Sequence, residues 1–152
     1  LNPSAVGSTF VDLRVDIETG DIVIDKLVIV HDCGRAINPM VVEGQLQGAL
    51  THGLGYTLYE DMCISQVNGS VLADNYNKYK LPSALDMPDM EVVIFEEPTK
   101  SGPFGAKGVG MSGVMGVPAA IANAIYDAVG VRITEMPITP EKVLAAIKSK
   151  DR

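Results

Sequence analysis

Apolar and polar residues alternate along Ser8–Asp32, "STFVDLRVDIETGDIVIDKLVIVHD", on both sides of "ETGD". A period of two sends successive side chains to opposite faces, so two strands joined by a glycine-containing turn are expected. The period then changes. Val42, Leu46, Leu50, Leu54 and Leu58 recur every four residues, the stripe of a helix with one buried face. Asn38 suits its cap and Pro39 its first position, and the pattern carries it to about Glu60. Gln45, Gly48 and His52 share the other side, where polar groups flanking a glycine let a polar ligand approach the backbone.

Further along, "CISQVNGSVLAD" (Cys63–Asp74) is hairpin-like, and "NYNKYKLPSALDMPDM" (Asn75–Met90) is too rich in Pro, Asn and Asp for a regular element. "EVVIFEE" (Glu91–Glu97) reads as a strand feeding a glycine loop, "SGPFGAKGVGM". A helix is expected over "GVPAAIANAIYDAVG", stopped by Gly130, then a last strand over "VRITEMPI" (Val131–Ile138). "TPEKVLAAIKSK" closes the chain as a helix capped by Thr139, with Pro140 first and lysines last. The order predicts one α+β domain over residues 1–152, two-layered, with mainly antiparallel strands and about three helices.

Composition narrows the function classes. With 47% hydrophobic and 20% charged residues in 152, the chain is globular and carries enough apolar residues for one core. A net charge of −7 argues against nucleic acid or an anionic membrane surface as partner. No apolar run approaches the roughly 20 residues that cross a bilayer, and no signal peptide opens the chain. Cys33 and Cys63 lack metal-ligand spacing, so a reducing, cytoplasmic setting is expected. Leu1 in place of an initiator methionine suggests a processed chain or a piece of a longer one.

The loop Ser101–Met111 matches neither the Walker phosphate loop nor the dinucleotide-binding turn, since Gly108 rather than Ser or Thr follows Lys107. It is either a plain strand-to-helix connection or, through successive backbone N–H groups reinforced by Lys107, an anion-friendly one. His31 and His52 have no third ligand at recognisable spacing and read as satisfied structural histidines. Cys33, after a buried-looking strand, reads as an inert core thiol. Asp32 and Arg35 flank a turn and either pair with each other or cap backbone groups.

Taken together, "HDCGRAINPMVVEGQLQGALTHGLGYTLYED", "NYNKYKLPSALDMPDMEV", "GAKGVG" and "AIANAIYDAVGVRI" resemble the C-terminal part of the molybdopterin-binding subunit of the xanthine dehydrogenase/aldehyde oxidase family. The resemblance runs from about Phe10 to Val143. It implies a molybdenum cofactor, as molybdopterin or its cytosine dinucleotide form, whose pterin dithiolene rather than any side chain ligates the metal. That cofactor would lie between this part and segments absent here. Hydroxylation of an aldehyde or N-heterocycle would follow, with oxygen from water and electrons leaving through iron–sulfur clusters and FAD on partner chains or domains. A homo-oligomer is a further possibility.

By the resemblance, Gly44 and Gln45 of "EGQLQG" match the family's positions near the pterin. Lys107, Gly108, Val109 and Gly110 match the loop beneath the metal centre. His52 stands where many relatives have glutamine. The family pattern ends G-x-K-x-x-G-E, its glutamate being the general base, and here Met111 occupies that position. A thioether has no titrating proton, so the same resemblance leaves a second expectation, a non-catalytic binding or assembly subunit, and a third, a reaction at this cofactor that needs no carboxylate base.

Overall fold

A computed structural model describes residues 3–150. The alternating segment forms β1 (Gly7–Val15) and β2 (Ile22–Asp32), paired antiparallel with a register shift at Asp12/Leu13. Asp16 closes the turn between them by accepting from the backbone of Glu18 at 2.8 Å. After β2 comes α1 (Pro39–Leu58), capped as expected: the Asn38 side chain accepts from Val41 N. The chain returns to the sheet as β3 (Asp89–Phe95), which runs parallel to β2, giving the order β1-β2-β3. The sheet is therefore mixed: the hairpin is antiparallel, and the parallel pair requires the long crossover that α1 provides.

The helices α2 (Met111–Val129) and α3 (Pro140–Lys150) complete the second layer. Leu27 and Ile29 of β2, Leu46, Leu50 and Leu54 of α1, and Val117, Ile121 and Ile125 of α2 form one buried cluster, joined by Val143 of α3. The four-residue stripe thus does what its spacing required, with Val42 and Leu58 half-buried at its ends. The α+β, two-layer, three-helix expectation is met. No helix among the described residues is long and apolar enough to cross a membrane.

Three local expectations need correcting. α2 begins at Met111, five residues before Gly116. Glycines disfavour that turn, but close packing requires them: a Cβ on Gly113 would lie 2.8 Å from Ala49 Cβ, and one on Gly116 2.5 Å from Thr9 Oγ1. Tertiary contact overrides propensity there. The strand expected over Val131–Ile138 does not form. Pro137 has no N–H to give a ladder, and Ile138 N donates instead to Thr57 O at the end of α1, at 2.7 Å. Val131 and Ile138 still reach the core one by one. The hairpin-like stretch over Cys63–Asp74 reduces to a single bridge, Ile64–Val71, because nearly all its side chains face solvent and no face of it is buried.

A cleft between the first helix and the glycine loop

The end of β2 grips the glycine loop residue by residue. His31 Nε2 donates to Gly108 O at 3.3 Å, Lys107 N donates to Cys33 O at 2.8 Å, and Arg35 N donates to Gly105 O at 3.0 Å. Gly34 forms a bridge with Ala106 at φ 66°, and a Cβ there would stand 2.4 Å from Gly105 O. Only glycine fits such a left-handed, crowded position. The two histidine-to-arginine and glycine-to-glycine segments of the sequence are therefore two sides of one hydrogen-bonded clamp.

Asp32 and Lys107 form an ion pair with side chains only 13% and 11% exposed. Asp32 also accepts from Gly34 N at 2.9 Å and from Glu97 N at 3.3 Å. Its hydrogen bond from Lys107, followed by those backbone donors, holds its carboxyl below the usual carboxylate range. Asp32 thus caps backbone groups, one of the two alternatives, but its ionic partner is Lys107 rather than Arg35. The Lys107 ammonium is used within this clamp and does not line the cleft described next.

His31 is fully buried, as a structural histidine should be, but it is only half satisfied: among the described residues Nδ1 has no hydrogen-bond partner. Since a carbonyl only accepts, Nε2 carries the proton toward Gly108, and Nδ1 lies beside the backbone of Gly7. Cys33 is buried, and burial pushes its thiol up, away from the reactive thiolate.

With the loop so held, its far end faces α1 across a cleft of about 420 Å³. Gly44, Gln45, Gly48 and His52 line one wall, and Val109, Gly110 and Met111 the other. A second hollow of about 470 Å³ continues past Gly108 and Ser112 to Pro3, Ser4 and Ala5. Gln45, Gly48 and His52 are exposed, and Met111 is 72% exposed at the first position of α2. Gly110 caps that helix at φ 147° with no side-chain bond, and Gly113 N donates back to Gly110 O at 2.8 Å.

The glycines divide into two kinds. A Cβ on Gly53 would lie 2.6 Å from Val117 Cβ, so that glycine serves the α1–α2 contact. A Cβ on Gly44, Gly48, Gly108 or Gly110 would meet nothing within 4 Å. These four are not needed for internal packing, and all four border the cleft or its continuation. Glycine within a helix is destabilising by about 0.5–1 kcal/mol relative to alanine, so two of them on the open face of α1 point to something that must come close.

Among the described residues no group of three or more His, Cys, Asp or Glu is placed to hold a metal ion. The residues fit a large polar group that brings its own ligands better than a bare ion. Sequence reasoning missed Ala49, Val114 and the Pro3–Ala5 segment of the lining. Val114 was discoverable, being three residues from Met111 on one helix face. Pro3–Ala5 carries no local signal at all.

The cleft is thus open and glycine-walled, lying between a helix face and a backbone loop. The chain belongs to the molybdopterin cofactor-binding domain family, whose profile matches residues 2–88, and to its xanthine dehydrogenase/aldehyde oxidoreductase branch. It is 39% identical over 142 residues to the xanthine dehydrogenase molybdenum-binding subunit of Escherichia coli O157:H7, covering 93% of this chain and 19% of that one. It is 36% identical to the aldehyde oxidoreductase molybdenum-binding subunit PaoC of Escherichia coli K12, with the same coverage. Among solved structures it resembles the aldehyde oxidoreductase of Desulfovibrio gigas with a TM-score of 0.85 and 34% identity, covering 95% of this chain and 15% of that one. The chain therefore spans about a fifth of the length of the relatives it matches.

Proposed function

We propose that this chain supplies one wall of a molybdenum-cofactor site in an oxidoreductase of the xanthine dehydrogenase/aldehyde oxidase type. The observation that carries the reading is the set of four glycines with open space beside them, converging on one cleft from α1 and the loop. Gly44 and Gly48 let the cofactor approach α1, while the Gln45 amide and the His52 ring offer hydrogen bonds to it. The backbone from Gly108 to Gly110 forms the floor. Lys107 acts at one remove, holding that floor through Asp32. The opposite wall comes from the remaining part of the molybdenum-binding subunit, and iron–sulfur and flavin groups reside on partner chains or domains of a cytoplasmic assembly.

When bound, the molybdenum cofactor supplies two-electron redox chemistry toward a small substrate, an aldehyde or N-heterocycle in this family. What this chain adds to that chemistry turns on residue 111. A thioether is at most a weak acceptor and takes no proton near neutral pH. General-base catalysis typically contributes about 10²–10⁴-fold, so its loss at Met111 cripples standard hydroxylation. Glu96 and Glu97 follow β3, on the far side of the clamp, and neither lines the cleft. Met111 in place of the family's glutamate favours a second reading, a non-catalytic binding or assembly subunit.

The experiment is to determine molybdenum and pterin in the purified assembly, then turnover with aldehydes and N-heterocycles. Metal with little or no hydroxylation is the expected result. Absence of both metal and pterin from the intact assembly overturns the cofactor reading, and rapid hydroxylation overturns the role given to Met111.

A further inference from the structure

Among the described residues the sheet is covered on one face only. Leu27, Ile29 and His31 of β2 point into the buried side, under α1 and α2. The alternate residues form the other face, and the register makes it continuous: Phe10 pairs with Val28, Val30 with Val93, and Asp32 with Phe95. Phe10 is 58% exposed, Phe95 54% and Val93 39%. At that end Val6, Ser8 and Val30 help line a groove of about 200 Å³. Toward the hairpin turn the same face is polar and already paired, Arg14 with Asp25 at 2.7 Å and Lys26 with Glu91 at 2.6 Å. One half is thus satisfied by its own ion pairs, and the other half is apolar and open.

That open half takes in the Val30–Val93 and Asp32–Phe95 end of the parallel pair β2–β3, with Phe10 of the antiparallel β1 beside it. Parallel strands are ordinarily covered on both faces, and contiguous exposed apolar surface marks a contact site. Relatives that match this chain along one stretch are about five times as long, so most of the subunit lies outside the matched part. A net charge of −7 opposes close approach of a second copy. We infer that the apolar half of this face, centred on Phe10, Val93 and Phe95, is where an apolar layer from the remainder of the molybdenum-binding subunit docks. The ion-paired half stays in water. This rests on the proposed membership in a larger subunit, but concerns the face of the sheet turned away from α1, α2 and the cleft between them.

The test uses a full-length chimera: the xanthine dehydrogenase molybdenum-binding subunit of Escherichia coli O157:H7 with its 142 matched residues replaced by this chain. Hydroxyl-radical footprinting compares Phe10 and Phe95 in the chimera and in the 152-residue chain alone. Their oxidation is expected to fall severalfold in the chimera. Phe10→Lys and Val93→Lys should each lower the chimera's folding constant by about tenfold or more, the scale of losing one buried apolar side chain. In the chain alone both should be neutral, and Arg14→Ala should be neutral in both.

Unprotected phenylalanines in a folded chimera overturn the inference. So does a chimera that fails to fold where its parent folds, or a chain that dimerises alone with the same residues protected. Molybdenum and pterin content of the chimera reads the cofactor proposal separately. Protected phenylalanines without cofactor would sink that proposal and leave the docking face standing.

Discussion

Gly44→Ala and Gly48→Ala should make the protein more stable and its cofactor site worse. Both glycines sit inside α1, where alanine is favoured over glycine by about 0.5–1 kcal/mol per residue. A Cβ at either position meets nothing within 4 Å, so no packing penalty offsets the gain. The double variant is then more stable by about 1–2 kcal/mol, and each kcal/mol raises the midpoint by about 2–4 °C in a chain of this size. Gly53→Ala is the internal control. Its Cβ would stand 2.6 Å from Val117 Cβ and 3.2 Å from Val114 O, on a helix that cannot move away without disturbing Ile121 and Ile125. Overpacking of that kind costs typically about 1–3 kcal/mol, which outweighs the helix gain. Thermal and urea unfolding followed by circular dichroism measures all three. Molybdenum and pterin content of the assembly measures the other half, since two methyl groups would stand in the wall of the cleft. The reasoning fails if Gly48→Ala destabilises the chain, or if the stabilised double variant keeps its full cofactor content.

Three further outcomes are expected. Met111→Glu in the full assembly should raise hydroxylation at matched molybdenum occupancy, with a pH dependence reporting a new carboxylate; strong turnover by the unsubstituted form, or a fall in the variant, would contradict this. Asp32→Asn should cost about 3 kcal/mol at neutral pH, because it leaves the nearly buried Lys107 ammonium without its counter-charge. Since the folded-state pKa of Asp32 is lowered, its contribution is complete above the unfolded value of about 4 and disappears as pH falls through the folded one. Urea midpoints of both forms should therefore differ at pH 7 and converge in acid, and a difference independent of pH would refute the pairing. Finally, the 152-residue chain alone should bind no intact cofactor tightly, having only one wall of the cleft; stoichiometric pterin and molybdenum on the isolated chain would disprove it.

Much of this was legible in local pattern. The alternation around Glu18–Asp21, the Asn38 cap and the four-residue leucine stripe each predict an element from neighbours only, and all three form as written. The polar-and-glycine face of α1 was readable for the same reason. What could not be read was decided at long range. Asp32 meets Lys107 across 75 positions, and nothing near either residue announces the other. The early start of α2 depends on Ala49 and Thr9 accepting glycines at close quarters. Val131–Ile138 has strand-like composition, but its one strategic N–H goes to the end of α1. The role proposed for position 111 comes only from the family pattern, since a methionine opening a helix has no chemistry of its own to notice.

The clamp between His31–Arg35 and Gly105–Gly108 has a consequence for how such a domain can change over generations. Nearly every bond that shapes the loop comes from main-chain atoms or from the buried ion pair, and none of them involves the side chain at 111. Inheritance of the scaffold is thereby uncoupled from the identity of the side chain at 111. A substitution at the mouth of the cleft therefore leaves the bonds that hold the loop in place, while the fold that presents it stays intact.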